Sequence, residues 1–342
     1  MKIRLPLKTF NKIGSCCLFT IIINSHINCQ IMIAPPIAKK TPKQLTINND
    51  TRIDNYYWLN NRDDKNVIKY LEDENAYTKS IMSHTDGFKE DLFKEMVGRI
   101  KQTDLSVPYK ISDYWYYNKF EEGKEYPIYC RKKGSLDAKE EIMLDVNIMA
   151  VGSSYYDVTG LSVSPDNKLL AYGVDNVSRR QYTLYVKNLE TQEIYKETVA
   201  NTDGSYVWAA DNKTLFYDVK DEETLRTYLI KKHTLGTTSD KDVNVFEEKD
   251  VTFNCGVYKS KSEEYIFIGS FSTLTSEVYY LDAKTSNGEF KSITGRERDH
   301  LYSVEQYESD FYITSNRKAP NFKLMKAPIG NSGENAWVSY SA

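Results

Sequence analysis

Short apolar runs that follow polar turns recur along most of the chain. One such unit, VSPDNKLLAY, spans residues 163–172. Three later units share its charged turn and its aromatic or β-branched run, and they occupy residues 209–217, 260–268 and 307–315. The apolar runs are separated by steps of 46, 50 and 46 residues, and a related run, SDYWYYNKF, lies 55 residues before the first. A period near 50 residues in an all-β region predicts five β-propeller blades.

A helical period appears nearer the N-terminus, over residues 63–104. Apolar side chains recur there at spacings of three and four residues, a pattern typical of two amphipathic helices. Asp63 and Asp64 are expected to supply an N-cap and negative charge in the first turn of the first helix, and Gly87 is expected to separate this helix from the second. Pro108 is expected to close the helical region. An acid–base role for the two aspartates is the alternative to capping.

The first 62 residues show neither the 50-residue repeat nor the helical spacing of apolar side chains. Residues 1–30 combine four basic residues with the short apolar run IGSCCLFTIII, which predicts a signal peptide and export to the periplasm or the medium. Cys29 leaves a lipid-anchored form open, although the residues before it fit a lipidation signal poorly. Residues 31–62 begin with a Pro-rich, basic stretch and are expected to form an extended lead-in.

Composition and charge narrow the classes of partner. The 27 tyrosines against 13 phenylalanines suit half-buried strand faces. The formal net charge is −3, and because the first 29 residues carry four basic and no acidic side chains, the remainder carries −7. A mildly acidic body without a basic stripe argues against nucleic acid as a partner. Of the five cysteines, Cys130 and Cys255 lie beyond residue 29 and are interpreted as buried small side chains, not as disulfide or zinc ligands.

The chemistry-bearing residues form no familiar motif. GxSxG, HExxH and the glycine-rich phosphate loops are absent from the sequence. The acidic run Glu72-Asp73-Glu74 is interpreted as a solvated helix face. The remaining isolated candidates are interpreted as structural, and they are Ser153, Ser154, Ser205, Ser270, His26, His84, His233 and His300. The sequence therefore predicts no catalytic, cofactor-binding or metal-binding residue and no cofactor.

Several longer segments resemble the prolyl oligopeptidase family of serine peptidases, and within it the oligopeptidase B (protease II) branch. YYWLNNRDDKNVIKYLEDENAY at residues 56–77 is similar to the family's N-terminal signature, and EMVGRIKQTDLSVPY at residues 95–109 to its entry into the propeller. Further similar segments follow in the same order as in the family, at residues 116–133, 141–147, 163–175 and 317–324. Together they cover roughly residues 35–330.

The resemblance implies a seven-bladed propeller joined to an α/β-hydrolase domain that cleaves short peptides after Arg or Lys. It also implies that the helices pack on the hydrolase domain and that the propeller limits access to it. No position of this chain matches the family's catalytic Ser, Asp or His, so the chain alone is expected to be inactive. The expected fold is an incomplete propeller of about five of seven blades over residues 105–330, preceded by the helical segment 63–104. Residues 331–342 are expected to be a truncated end of an N-terminal fragment.

Two other hypotheses are compatible with the sequence. The chain could be a non-catalytic, propeller-like binding module, or a part that works only with a separately encoded hydrolase chain. The partners expected from the resemblance are the C-terminal hydrolase domain and, through it, short basic peptides. No metal or nucleic-acid partner is expected. An incomplete ring is also expected to leave apolar blade faces exposed.

Overall fold

The computed structural model describes residues 34–340, so the predicted signal peptide at residues 1–30 lies outside the described residues. The chain divides into two compact units, Met1–Ile100 and Lys101–Ala342. Within the described residues, no helix has the length and apolar character needed to cross a membrane. Each unit is described by itself below.

The described part of the first unit begins with a β-hairpin inside the stretch expected to be an extended lead-in. β1 (Lys43–Ile47) and β2 (Asp50–Asp54) pair in antiparallel fashion. The two linking residues, Asn48 and Asn49, have positive φ angles of 52° and 63°. A two-residue hairpin turn requires this backbone conformation, and asparagine tolerates it. A 3₁₀ turn follows at Tyr57–Asn60.

Two helices follow the hairpin, as the sequence predicts. α1 spans Lys65–Met82 and α2 spans Asp86–Gly98. The Asp64 carboxylate accepts a hydrogen bond of 2.7 Å from the backbone N–H of Asn66, which satisfies one of the free donors at the start of α1. The predicted capping role of Asp64 is therefore confirmed. The predicted negative charge in the first turn is wrong, because α1 begins at Lys65 and its first turn contains no acidic residue.

The break between the helices differs from the expectation. Gly87 lies inside α2, so its predicted role as separator is wrong. The break is a 3₁₀ turn at Ser83–Thr85, where the Ser83 and Thr85 hydroxyls donate to carbonyls of the last turn of α1 at 2.8 and 2.7 Å. These hydroxyls satisfy acceptors that a helix end leaves free. α2 ends at Gly98, well before Pro108, so the proline is not its terminator.

The second unit consists of five antiparallel blades. The first contains β3 (Tyr109–Ile111), β4 (Tyr114–Lys119), β5 (Ile128–Lys133) and β6 (Glu140–Asp145), followed by the short helix α3 (Val146–Met149). The second and third share β7 (Asp157–Val163), β8 (Leu169–Asp175), β9 (Tyr182–Asn188), β10 (Val199–Trp208), β11 (Thr214–Lys220), β12 (Thr227–Thr234) and β13 (Val243–Glu247). The fourth contains β14 (Asn254–Lys259), β15 (Tyr265–Phe271), β16 (Ser276–Asp282) and β17 (Lys291–Ser292). The fifth contains β18 (Tyr302–Tyr307), β19 (Asp310–Ser315), β20 (Lys323–Pro328) and β21 (Val338–Ser339).

The recurring sequence unit corresponds to one position in each blade. All five apolar runs form second strands, namely β4, β8, β11, β15 and β19. The turn before each second strand contains one residue with φ between 50° and 65°; these residues are Ser112, Asn167, Asn212, Glu263 and Glu308. A left-handed residue allows the chain to reverse within a short turn. The turn and the strand together therefore explain the repeat.

The second and third blades form one continuous sheet of seven strands. The long strand β10 pairs with β9 through Val199 and Thr202, and with β11 from Thr202 to Trp208. Its register shifts between Thr202 and Tyr206, at the segment that contains Gly204. Gly204 has a φ of 100°, which a residue with a side chain rarely adopts. One strand thus serves as the last strand of one blade and the first of the next.

Apolar clusters fill the four seams between successive blades. In the seam between the third and fourth blades, four large side chains are fully buried: Phe216, Ile230, Ile266 and Ile268. Burying such a side chain stabilises the fold by roughly 1.5–3 kcal/mol. The core of this unit is therefore divided among the seams, as in repeat architectures.

The last blade extends beyond the limit expected from the sequence. β21 pairs with β20 and supplies its fourth strand, so residues placed in a truncated end belong to the blade. Over residues 101–340, the strands of the last sheet do not pair with those of the first, and the predicted incomplete propeller is confirmed. The outer face of the last blade exposes apolar side chains, as expected; they include Tyr307, Leu324, Val338 and Tyr340.

Candidate functional site

A cavity of about 260 Å³ lies where the first strands of four blades converge. β3, β7, β10 and β14 contribute Tyr109, Leu161, Trp208 and Lys259 to its lining. Blades of a complete propeller surround a central channel. We call the cavity between these first strands the channel pocket.

Aromatic rings form much of the wall of the channel pocket. Tyr109 and Tyr116 stack with their ring centroids 5.7 Å apart, and Tyr129 also lines the pocket. Tyr109 exposes 57% of its surface, yet burial by the surrounding protein raises the pKa of its phenol. Burial likewise raises the pKa of Tyr129. A side chain that is accessible but closely surrounded lies on a concave surface, which is the form of a binding site.

The turn at residues 165–167, which precedes β8, contributes Pro165 and Asn167 to this pocket. The Tyr116 hydroxyl donates to the Asn167 side chain at 3.3 Å, and the Arg131 guanidinium donates to the Asn167 carbonyl at 2.8 Å. The backbone N–H of Asp166 donates to the side chain of Asn212 in the matching turn of the next blade, at 2.8 Å. The turn therefore joins three blades, and its polar side chains are engaged in structural contacts.

Charged groups lie at one side of the pocket. Lys259, at the end of β14, is 3.6 Å from Glu263 in the following turn, and both residues line the pocket. Burial lowers the pKa of Lys259, and the nearby Glu263 carboxylate opposes that effect. The lysine side chain is 19% exposed. An ammonium held at this depth is a potential anchor for an anionic group.

The histidines and serines considered in the sequence lie apart from the channel pocket. His233 is buried with its Nδ1 2.7 Å from Asp242, and His300 is buried with its Nε2 2.9 Å from the buried Ser315. Ser270 is also buried and donates to Glu248. The hydroxyl groups of Ser270 and Ser315 are therefore both inaccessible to a substrate. Ser153 and Ser154 are exposed, Ser205 is half-buried, His84 is exposed and His26 lies outside the described residues.

The two cysteines of the described chain are fully buried, at 0% and 1% exposure. Burial raises the pKa of both Cys130 and Cys255 to about 12. The thiolate is the nucleophilic and metal-binding form, so neither thiol is reactive near neutral pH. Their interpretation as buried small side chains is confirmed.

Two carboxylates and a histidine in the last part of the chain form a cluster of the residue types that bind metal ions. Ligand atoms of Glu297, His300 and Glu334 lie within 4.8 Å of one another. Arg317, however, pairs with both carboxylates, at 2.5 Å from Glu334 and in close contact with Glu297. The guanidinium already neutralises the carboxylates that a cation would require, so the cluster is best described as an ion-pair network.

The sequence pattern did not predict a second ion-pair network, which is centred on Arg296 and more deeply buried than the first. The Arg296 guanidinium lies 2.5 Å from Glu248 and 3.1 Å from Glu277, and it covers the ring of Phe253 at 3.9 Å. Burial by itself raises the pKa of Glu248, but hydrogen bonds from Arg296 and Ser270 lower it on balance. A carboxylate inside the β-rich run SEVYYLD was the available signal. The network links a loop before the fourth blade to the strands of that blade.

Comparison with known proteins gives these observations a context. Residues 35–340 match the family described as "Prolyl oligopeptidase, N-terminal beta-propeller domain". The chain is 38% identical over 326 residues to dipeptidyl aminopeptidase BI of Pseudoxanthomonas mexicana, covering 90% of this chain and 45% of that protein. It is 35% identical over 303 residues to protease 2 of Moraxella lacunata, covering 86% of this chain and 44% of that protein.

A solved structure agrees with this assignment. Oligopeptidase B from Leishmania major superposes with a TM-score of 0.83 at 30% identity, covering 90% of this chain and 46% of that one. The chain therefore spans slightly less than half the length of the relatives that it matches. From its sequence and its fold, the chain belongs to the prolyl oligopeptidase family, and its residues 35–340 correspond to the family's N-terminal propeller domain, similar to that of oligopeptidase B.

Proposed function

We propose that this propeller controls the access of short peptides to a C-terminal α/β-hydrolase domain with a catalytic serine. The observation that supports the proposal most directly is the match of residues 35–340 to a propeller domain whose relatives are peptidases of about twice this length. We expect a narrow channel between the first strands to admit a short flexible peptide and to exclude folded proteins and long chains. Excluding water and large chains protects the reaction and restricts the substrate.

The exposed apolar side chains of α2 support a hydrolase partner. Phe88, Leu92 and Met96 are spaced by four residues along one side of the helix, and all three are exposed. Such a stripe is typical of a helix that packs against another structure. In this proposal the stripe covers part of the hydrolase domain.

The proposed substrates are short peptides cleaved after Arg or Lys. The names protease 2 and oligopeptidase B of two relatives favour an endopeptidase, and a net charge of −7 beyond residue 29 weakly favours basic substrates. The second candidate is removal of dipeptides from the amino end. It is favoured by the 38% identity to a dipeptidyl aminopeptidase.

The gating proposal is tested by supplying the hydrolase domain of a protease 2 relative in trans. The chain alone is expected not to cleave an N-blocked fluorogenic tripeptide ending in Arg. The mixture is expected to cleave the tripeptide but to spare unfolded casein, which the hydrolase domain alone would attack. Equal cleavage of casein with and without the chain would contradict gating. A stable complex without any peptidase activity would favour a non-catalytic binding module.

The same assay separates the two substrate candidates. An endopeptidase accepts the blocked tripeptide, whereas a dipeptidyl aminopeptidase requires the matching peptide with a free amino end. A parallel peptide with Ala in place of Arg serves as the control for basic specificity. Equal rates for the Arg and Ala peptides would refute a preference for basic residues.

Export through the basic and apolar N-terminal segment is part of the proposal. It is supported by the run IGSCCLFTIII after four basic residues. Fractionation of cells that express the chain, combined with N-terminal sequencing of the product, tests it. Recovery of an uncleaved chain in the cytosol would contradict export.

A further inference from the structure

The channel pocket joins an apolar wall to a single ammonium group. Tyr116, Met143 and Leu161 belong to the apolar cluster between the first two blades and also line the pocket. Lys259 approaches from the fourth blade. A small site that combines an apolar wall with an ammonium group at one side is suited to an amphipathic ligand.

The ammonium of Lys259 retains capacity for a ligand. Its distance of 3.6 Å from Glu263 exceeds the usual length of a charge-assisted hydrogen bond, and an ammonium has three donors. The Glu263 side chain is 39% exposed. If Glu263 moves away from Lys259, water can hydrate its carboxylate, so breaking this ion pair costs little free energy. An incoming carboxylate could therefore take the place of Glu263.

The size of the pocket restricts the ligand further. A volume of about 260 Å³ is slightly below the range of about 300–1,000 Å³ that drug-sized ligands occupy. It accommodates one large side chain with its adjoining backbone, but not a longer folded segment. Within a channel that admits peptides, the group that combines one side chain with a free carboxylate is the C-terminal residue of a peptide.

We propose that the channel pocket binds the C-terminal residue of a peptide, with its carboxylate on the Lys259 ammonium and an apolar side chain against Tyr116, Met143 and Leu161. The ligand class rests on the proposed function, since it takes peptides as the molecules that enter the channel. The site itself lies within the propeller and needs no hydrolase domain for binding. It would hold the far end of a peptide while the rest extends along the channel.

The test measures binding of four matched pentapeptides to the full 342-residue chain by isothermal titration calorimetry. The peptides end in Phe or Ala, each as the free acid and as the amide. The Phe acid is expected to bind best. Amidation is expected to weaken binding at least about tenfold, which is the effect of losing one charge-assisted hydrogen bond. Replacing Phe by Ala is expected to weaken it by a similar factor because the apolar contact is lost.

Variants locate the effect in this pocket. Lys259→Met should abolish the preference for the acid over the amide, and Glu263→Gln should strengthen binding of the acid by removing a competitor. Lys261→Met is the matched control, because Lys261 is an exposed lysine of the same turn that does not line the pocket. Circular dichroism of each variant verifies that it is folded.

Three results would overturn the proposal. The first is equal affinity for the acid and the amide, the second is an unchanged preference for the acid in Lys259→Met, and the third is absence of binding by all four peptides. None of these results would affect the gating proposal, because that proposal is judged by which substrates the two-part enzyme cleaves.

Discussion

Residues 34–100 and residues 101–340 use apolar side chains in opposite ways. In the first region Val67 is the only described apolar residue that is fully buried, whereas most large apolar side chains of α2 are exposed. In the second region the blades bury apolar faces against their neighbours, and the seams contain side chains at 0% exposure. Blades stabilise each other through repeated contacts, whereas the helices present their apolar surface outward. Residues 101–340 therefore form their own apolar core, whereas the helices of residues 34–100 have an apolar surface suited to a partner.

The largest expected effect comes from a truncation inside a seam. Phe216 is fully buried between the third and fourth blades and meets Phe290 edge to face at 5.6 Å. Phe216→Ala should lower the free energy of unfolding by about 3–5 kcal/mol, because it leaves a cavity. Urea denaturation measures the loss. Phe93→Ala, in α2 at 63% exposure, is the matched control and should change it by less than about 0.5 kcal/mol. Equal losses would remove the contrast between the regions.

The next effect concerns charge buried in the second region. Arg296→Met would leave Glu248 and Glu277 without their partner, and we expect a loss of about 2–3 kcal/mol. The figure lies below that of a fully buried pair because the arginine side chain is 28% exposed. Arg298→Met removes an exposed arginine two residues away and should have little effect on the same denaturation curve. An unchanged free energy of unfolding in Arg296→Met would show that the network contributes no stability.

A smaller effect should depend on pH. Burial lowers the pKa of His300, and Arg317 adds to the shift while Glu334 and Glu297 oppose it. The folded pKa lies below the unfolded value of 6.5, so the unfolded chain binds the proton more readily. This stability is present above pH 6.5 and is lost as the pH falls through the folded pKa. The melting temperature should therefore decrease between pH 7.5 and 5.5. His300→Gln should reduce that decrease, and His84→Gln, at an exposed position, is the control.

The smallest effect should come from the helix cap of the first region. Asp64→Ala removes the hydrogen bond to the N–H of Asn66 and should cost about 0.5–1 kcal/mol at the start of α1. Faster amide exchange over residues 65–68 would report it. Asp63→Ala removes the neighbouring acid, which does not cap the helix, and should leave exchange unchanged. Similar exchange in both variants would mean that the cap does not stabilise the helix.

The sequence by itself determined the elements whose causes are local. A polar turn followed by an apolar run places Leu170, Phe216 and Ile266 in second strands, since turn chemistry and strand propensity act within a few residues. The cap of α1 was predictable for the same reason. The position of the helix break was not, because side-chain hydroxyls at Ser83 and Thr85 compete with the glycine signal at Gly87.

Only the tertiary structure decided what the blades bring together. Arg296 and Glu248 form an ion pair across 48 residues of sequence, and Lys259 and Tyr109, which are 150 residues apart, line the same channel pocket. The continuous sheet through β10 likewise depends on how two blades stack. Local propensities cannot specify such contacts, because they arise from the angle and spacing at which whole blades pack. The repeat could therefore be predicted from the sequence, whereas the channel pocket is formed only when the blades pack together.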